Sequence, residues 1–304
     1  MKFPVKNFIS LAIIVVLLFG CNSKNFDDRV ANLNKGELAI FADESYKSLI
    51  DELIKSYENV YPESKIVATY GSDYDIMEAM LHDKTRMIVT GRTLTQKEIE
   101  EIEKIQGIVP EQYSIAKEAV AIITSAENTD TVFDLDEFYL SRQPGYAGKY
   151  KDKKFVFNRE NASMISQLTG EQTSSLTNMF SLDNSDTISA YISSTQNAFG
   201  FIAFAELSDV DNPAAGKLLA GNKILSVAKK DSTGEKIIYE LSQSTIATNK
   251  YPLQRPVNIV KGNVSQLLGT GFVNFMYRDK AGRIILKAGL VPAKMPERQI
   301  RIVE

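Results

Sequence analysis

Three short polar segments carry the side chains best suited to holding a charged ligand: Asp43-Glu44-Ser45, Gly71-Ser72-Asp73 and Gly91-Arg92-Thr93. Each follows a run of strand character and precedes a helical pattern. Free N–H groups at a helix start, reinforced by the helix dipole, favour an anion there. Ser45 and Ser72 add hydroxyl donors, although a serine before a helix also serves as an ordinary N-cap. Arg92 adds a planar guanidinium whose fork matches two oxygens of an oxyanion, or equally the carboxylate of Glu98 or Glu101. A fourth segment, Phe157-Asn158-Arg159-Glu160-Asn161-Ala162-Ser163, repeats the arrangement far along the chain. It offers Arg159 and the Ser163 hydroxyl from an opposing surface, or simply an exposed arginine beside a capped helix. Glu44 and Asp73 contribute acceptors. As solvated loop acids they do nothing further, but a buried acceptor distinguishes a ligand oxygen that carries a proton from one that does not.

The elements that would position these loops are legible as alternating strands and helices. Glu37–Ala42 reads as a buried strand, and Tyr46–Tyr61 places Leu49, Ile50, Leu53, Ile54 and Tyr57 at helical spacing, stopped by Pro62. Lys65–Tyr70 is a second strand, Asp75–His82 a second helix and Arg86–Thr90 a third strand; Thr95 with Glu98 forms a capping box that opens a charged helix. Such alternation predicts a parallel sheet with helices on its faces. Lys117–Ser125 is a long apolar strand. Beyond it the alternation lapses until about residue 220, with strands at Phe155–Phe157 and Ala198–Phe204 and a helix over Thr173–Leu182. Arg255–Val260 then returns as a strand, Val264–Arg278 as an apolar helix, and a short helix ends at Gly289. A chain that leaves one α/β domain, builds a second and returns makes two crossings, hence a hinge over a cleft.

Composition removes whole chemistries. The chain has 304 residues, one cysteine and one histidine. His82 sits where a helix should end and reads as an exposed residue of the last turn, so neither a Ser-His-Asp triad nor a multi-histidine metal site is available. Lys2 and Lys6 precede the apolar run Leu11–Phe19, which is too short to span a bilayer comfortably and reads as a signal peptide. Leu18-Phe19-Gly20-Cys21 resembles a lipobox, with cleavage before Cys21 and lipid on its thiol; an uncleaved N-terminal anchor would leave the rest equally outside the cytoplasm. Loss of Lys2 and Lys6 moves the formal charge from -3 to -5, and the basic residues are scattered, which argues against a nucleic-acid partner.

Taken together, these segments resemble the substrate-binding proteins of phosphate ABC importers over most of the mature chain. Asp43-Glu44-Ser45 and Gly71-Ser72 are similar to the first and second binding turns of that family, and Val89-Thr90-Gly91-Arg92-Thr93-Leu94-Thr95 to its third element. Ile115–Ala121 resembles the crossover strand, Asn197–Phe201 the Ala-Ile-Gly-Tyr segment, Tyr251–Pro256 the returning strand and Lys287–Pro292 the C-terminal end. The family's Arg followed by Ser-Gly-Thr is absent after Arg159, and Arg92 stands where many members carry an aspartate. The resemblance implies a two-domain, periplasmic-binding-protein-like (type II) α/β fold with a hinge and an interdomain cleft. The expected division is a signal peptide at 1–20, a tether at 21–35, one domain from 36–121 plus 255–304, and a second from 122–254. The implied function is capture of inorganic phosphate or a close oxyanion by Glu44, Ser45, Ser72, Asp73, Arg92, Arg159 and Ser163, for delivery to an inner-membrane ABC permease. The protein is expected to act as a monomer, without metal or cofactor, lipid-anchored at Cys21 in the cell envelope and facing the extracytoplasmic side. The competing readings are a surface lipoprotein of this fold that has lost its ligand and serves sensing or adhesion, and a phosphate-ester hydrolase using a serine with Lys117 as base.

Overall fold

The computed structural model describes residues 33–158, 161–162, 165, 178–208, 213–262 and 267–296. Cys21, Arg159 and Ser163 lie outside the described residues. The strands are β1 Gly36–Asp43, β2 Ser64–Gly71, β3 Met87–Thr90, β4 Glu111–Ser125, β5 Val132–Asp134, β6 Lys154–Asn158, β7 Met179–Leu182, β8 Ala198–Ala203, β9 Asn222–Ile224, β10 Ser226–Lys230, β11 Lys236–Tyr239, β12 Gln254–Lys261 and β13 Val291–Pro292. The helices are α1 Lys47–Val60, α2 Asp73–Leu81, α3 Gln96–Gln106, α4 Leu135–Leu140, α5 Ser185–Ser194, α6 Pro213–Leu219, α7 Gln243–Ala247, α8 Leu267–Met276 and α9 Asp279–Lys287. A 3-10 turn over Glu44–Tyr46 precedes α1.

One mixed sheet runs through the molecule in the order β2-β1-β3-β12-β4-β8-β6-β7. The first lobe holds β1, β2 and β3 in parallel, closed by antiparallel β12. Its two faces are buried by different helices, as a parallel sheet requires. Leu38, Ile40 and Ala42 of β1 pack with Leu49, Ile50, Leu53, Ile54 and Tyr57 of α1 and with Phe272 and Phe275 of α8. On the other face Ile88 and Val260 meet Ile76, Met77 and Met80 of α2 and Ile102 of α3.

The 15-residue β4 belongs to both lobes. Glu111–Ala119 pairs antiparallel with β12, whereas Val120–Ile123 pairs with β8 and Ile123–Ser125 with β9. The second lobe adds β6 parallel to β8 and β7 parallel to β6. Its core is an aromatic cluster of Phe133, Phe138, Tyr150, Phe155, Phe199 and Phe201. Gly200 of β8 is needed here, because a Cβ would lie 2.4 Å from Ile192 Cδ1 and 2.7 Å from Ile188 Cγ2, where α5 presses on the sheet.

Most expected elements occur within two residues of their predicted ends. The helix expected over Thr173–Leu182 does not: Met179–Leu182 is β7, while 173–177 lie outside the described residues. Four residues of mixed burial carry no decisive period, and an open edge beside β6 supplies the partner that decides. Phe204, expected to end a strand, begins a 3-10 turn at Phe204–Glu206. A small sheet, β11-β10-β5, was not foreseen.

Candidate functional site: strand-end loops of the first lobe

The carboxyl ends of β1, β2 and β3 bring the three predicted loops of the first lobe side by side. In the first, Asp43 caps the 3-10 turn. Its Oδ1 accepts from Ser45 N–H at 3.0 Å and from the Ser45 hydroxyl at 2.7 Å. Glu44 is exposed. In the second, Ser72 caps α2 in a reciprocal box, its N–H and hydroxyl donating to Asp75 Oδ2 at 2.9 and 2.6 Å. Those bonds, led by the side-chain hydroxyl, hold the Asp75 carboxyl below its usual range. In the third, Arg92 donates through Nε to Asp73 Oδ2 at 2.8 Å and through Nη1 and Nη2 to the two oxygens of Glu98 at 2.8 and 2.7 Å. Asp73 also accepts from the Thr90 hydroxyl at 2.9 Å.

Asp73 and Arg92 therefore meet directly, and Arg92 also makes the Glu98 pair that its sequence context suggested. Burial opposes ionisation of Glu98, but Arg92 and the Thr95 cap outweigh it and keep that carboxyl below its usual range. Burial likewise works against the charge on Arg92, and the two carboxylates more than compensate. The hydroxyls of Ser45, Ser72 and Thr90 all donate to resident carboxylates.

Sequence reasoning missed a buried charged cluster beneath the first and third loops. Glu118 of β4 and Arg255 of β12 are 2% and 5% exposed and directly opposed in the antiparallel register. Arg255 Nε and Nη2 each lie 2.7 Å from Glu118 Oε2, and the buried Tyr46 hydroxyl donates to the same oxygen at 2.9 Å. Asp43, 1% exposed, completes the cluster; its Oδ2 and Arg255 Nη1 and Nη2 have no hydrogen-bond partner, Nη2 meeting Glu118 as an ion pair only. Burial chiefly pushes the Asp43 carboxyl up, with Asp73 adding to it and Arg255 and the Ser45 bonds opposing. Gly91 seats the third loop on this cluster: a Cβ there would lie 2.6 Å from the Tyr46 hydroxyl and 2.8 Å from Arg255 Nη1. The available signal was Glu118, a lone acid at a buried position of an apolar strand, but its partner lies 137 residues away.

In the second lobe, Asn158 ends β6, accepting from Asn161 N–H at 3.1 Å and donating to the Ser185 hydroxyl at the start of α5 at 3.4 Å. A pocket of about 440 Å³ lies between the lobes, with Ser45, Leu49 and Ile284 on one side and Ala205 and Leu218 on the other. His82 is the exposed C-cap residue of α2, 3.7 Å from Glu78. Lys117, the base of the hydrolase reading, donates to Asn249 Oδ1 at 2.6 Å. Among the described residues no group of three or more His, Cys, Asp or Glu side chains could hold a metal ion, and no helix is long and apolar enough to cross a membrane.

No curated protein matches the sequence. Among solved structures, an ABC-type phosphate transport receptor from Vibrio cholerae is similar at 15% identity, covering 84% of this chain and 99% of that one, with a TM-score of 0.65. PstS from Borrelia burgdorferi is similar at 19% identity over 85% of this chain and 99% of that one, with a TM-score of 0.57. At these identities the likeness is one of fold, a two-domain α/β periplasmic-binding-protein-like architecture of the binding-protein type. The family model described as a PBP superfamily domain matches residues 30–280, and the chain belongs to the PBP superfamily.

Proposed function

We propose that this chain is an extracytoplasmic receptor that captures phosphate or a close oxyanion between its lobes and delivers it to an ABC permease, tethered to a membrane by lipid on Cys21. The observation that carries the reading is the convergence of three strand ends, each opening a helix, around Ser45, Ser72 and Arg92. Ligands in open α/β sheets bind beyond the carboxyl ends of strands, where helix starts present unpaired N–H groups. A solved ABC-type phosphate transport receptor shares the fold. In this reading the helix starts and the guanidinium groups of Arg92 and Arg159 balance the ligand charge, with Ser163 and Ser45 fixing its geometry. Asp73 and Glu44 accept from a ligand oxygen that bears a proton, which favours phosphate over sulfate. Closure of the lobes removes water and strengthens each of these contacts.

One observation favours the second reading, a surface lipoprotein that binds no small anion. Arg92 is already matched by two carboxylates, and the Ser45 and Ser72 hydroxyls are already donating. A thermal-shift screen with phosphate, sulfate, phosphonates and molybdate separates the two, since a ligand at a hundred times its Kd adds about 2.7 kcal/mol of stability. A shift with phosphate supports the receptor; no shift with any anion supports the second reading. Calorimetry on Arg92→Ala/Arg159→Ala then tests the residues: binding is expected to be abolished, and unchanged affinity would overturn their assignment.

A further inference from the structure

The Ser45 hydroxyl has one proton and, if the cleft holds an oxyanion, two claimants. That proton now goes to Asp43 Oδ1 at 2.7 Å, the same oxygen that accepts Ser45 N–H. A ligand oxygen without a proton can only accept, so it takes the hydroxyl proton and leaves Ser45 Oγ facing a carboxylate across two sets of lone pairs. The conflict disappears when Asp43 is protonated: its O–H donates to Ser45 Oγ, and the Ser45 O–H turns to the ligand. The surroundings suit a neutral acid. Asp43 is 1% exposed and its Oδ2 has no partner, so the ionised form keeps one oxygen out of water unsatisfied.

We propose that Asp43 takes up one proton from solution for each oxyanion bound, changing from acceptor to donor toward Ser45. The inference rests on the oxyanion reading above and deepens it. Asp43 is thus a positioning residue that acts through Ser45. The charged and titratable groups around it are Arg255 of β12, which favours the ionised form, and Asp73 of α2, which disfavours it. Beyond these stand Tyr46 and Glu118, which share one hydrogen bond, and Arg92, which is paired to Asp73. Burial already pushes the Asp43 carboxyl above its usual range, and a ligand anion at Ser45 raises it further.

The test is calorimetry of the mature chain with inorganic phosphate near pH 7, in buffers of different ionisation enthalpy, which counts protons exchanged per ligand. Comparison with Asp43→Asn cancels the ionisation of phosphate itself, and the asparagine amide donates as the neutral acid would. The wild type is expected to take up as much as one more proton than D43N. Its affinity relative to D43N should fall about tenfold per pH unit once pH exceeds the value at which free Asp43 titrates. Ser45→Ala, which removes the contested hydroxyl and leaves Asp43 in place, should lose the extra uptake as well. Equal proton counts in wild type and D43N, or undiminished uptake in S45A, would overturn the proposal while the receptor reading stands. Absence of phosphate binding to the wild type would overturn both.

Discussion

The pair formed by Glu118 and Arg255 offers a quantitative test of how the two crossing strands are held. Glu118 Oε2 is 2.7 Å from both Arg255 Nε and Nη2 and 2.9 Å from the Tyr46 hydroxyl, and all three residues are at most 5% exposed. Removing one member leaves the other charge without its counterion in a medium that solvates it poorly, which costs about 3–5 kcal/mol. Whole domains are stable by only about 5–15 kcal/mol, so either Glu118→Leu or Arg255→Met is a severe perturbation. At about 2–4 °C per kcal/mol for a chain of this size class, each single variant should melt roughly 6–20 °C lower. The double variant E118L/R255M should behave differently. It removes both charges and both desolvation penalties together, and replacing a buried pair by apolar side chains is often close to neutral. Urea unfolding of the four proteins gives the coupling energy, expected to exceed about 3 kcal/mol and to be favourable to the pair. Additive losses in the double variant would refute the reasoning, because they would mean that each side chain acts through its own packing rather than through its partner.

The same cluster predicts that Gly91→Ala is destabilising by about 1–3 kcal/mol, since the new methyl group meets the Tyr46 hydroxyl and Arg255 Nη1. Gly216→Ala in α6 meets nothing within 4 Å and should instead stabilise by up to about 1 kcal/mol; denaturation midpoints of the two variants should move in opposite directions. Arg92→Ala should cost about 2–3 kcal/mol near neutral pH through its charged hydrogen bonds. Because the folded Glu98 carboxyl sits below its ordinary value, its share of that stability is present above that ordinary value and is lost as pH falls through the depressed folded value. The stability gap between wild type and R92A should therefore narrow in acid, and a gap independent of pH would contradict the Arg92–Glu98 pairing.

How much of this could be read from the chain differs sharply by element. The first lobe was legible because β1, β2 and β3 alternate with helices whose apolar residues recur at helical spacing, as Leu49, Ile50, Leu53, Ile54 and Tyr57 do. The Thr95–Glu98 box was visible as a four-residue motif and forms as expected. Strands β5, β10 and β11 are three to five residues long, and only their tertiary partners identify them. Of the site, the loops and their serines were found because strand ends and helix starts mark them. What each hydroxyl donates to was not, because Asp43 reaches forward over two residues and Asp75 back over three in geometries that composition does not fix. The Glu118–Arg255 contact required the register of β4 against β12, including its irregularity between Val257 and Asn258.

The continuity of β4 has a mechanical consequence. A strand that pairs with β12 up to Ala119 and with β8 from Val120 onward is a beam built into both halves of the molecule. Relative rotation of the halves is then expected to be stored as twist where β4 passes from β12 and β13 to β8, two strands wide only at Glu118–Ala119, since β13 pairs at Ala116–Lys117, β12 begins at Gln254, opposite Ala119, and Leu253 accepts from Val120 N–H at 2.9 Å. Such a connection predicts a torsion spring rather than a loose joint. Glu118 and Arg255, opposed two residues before β4 changes partner, rivet its two strands there, so loosening the rivet should both soften the spring and loosen the loops seated on it.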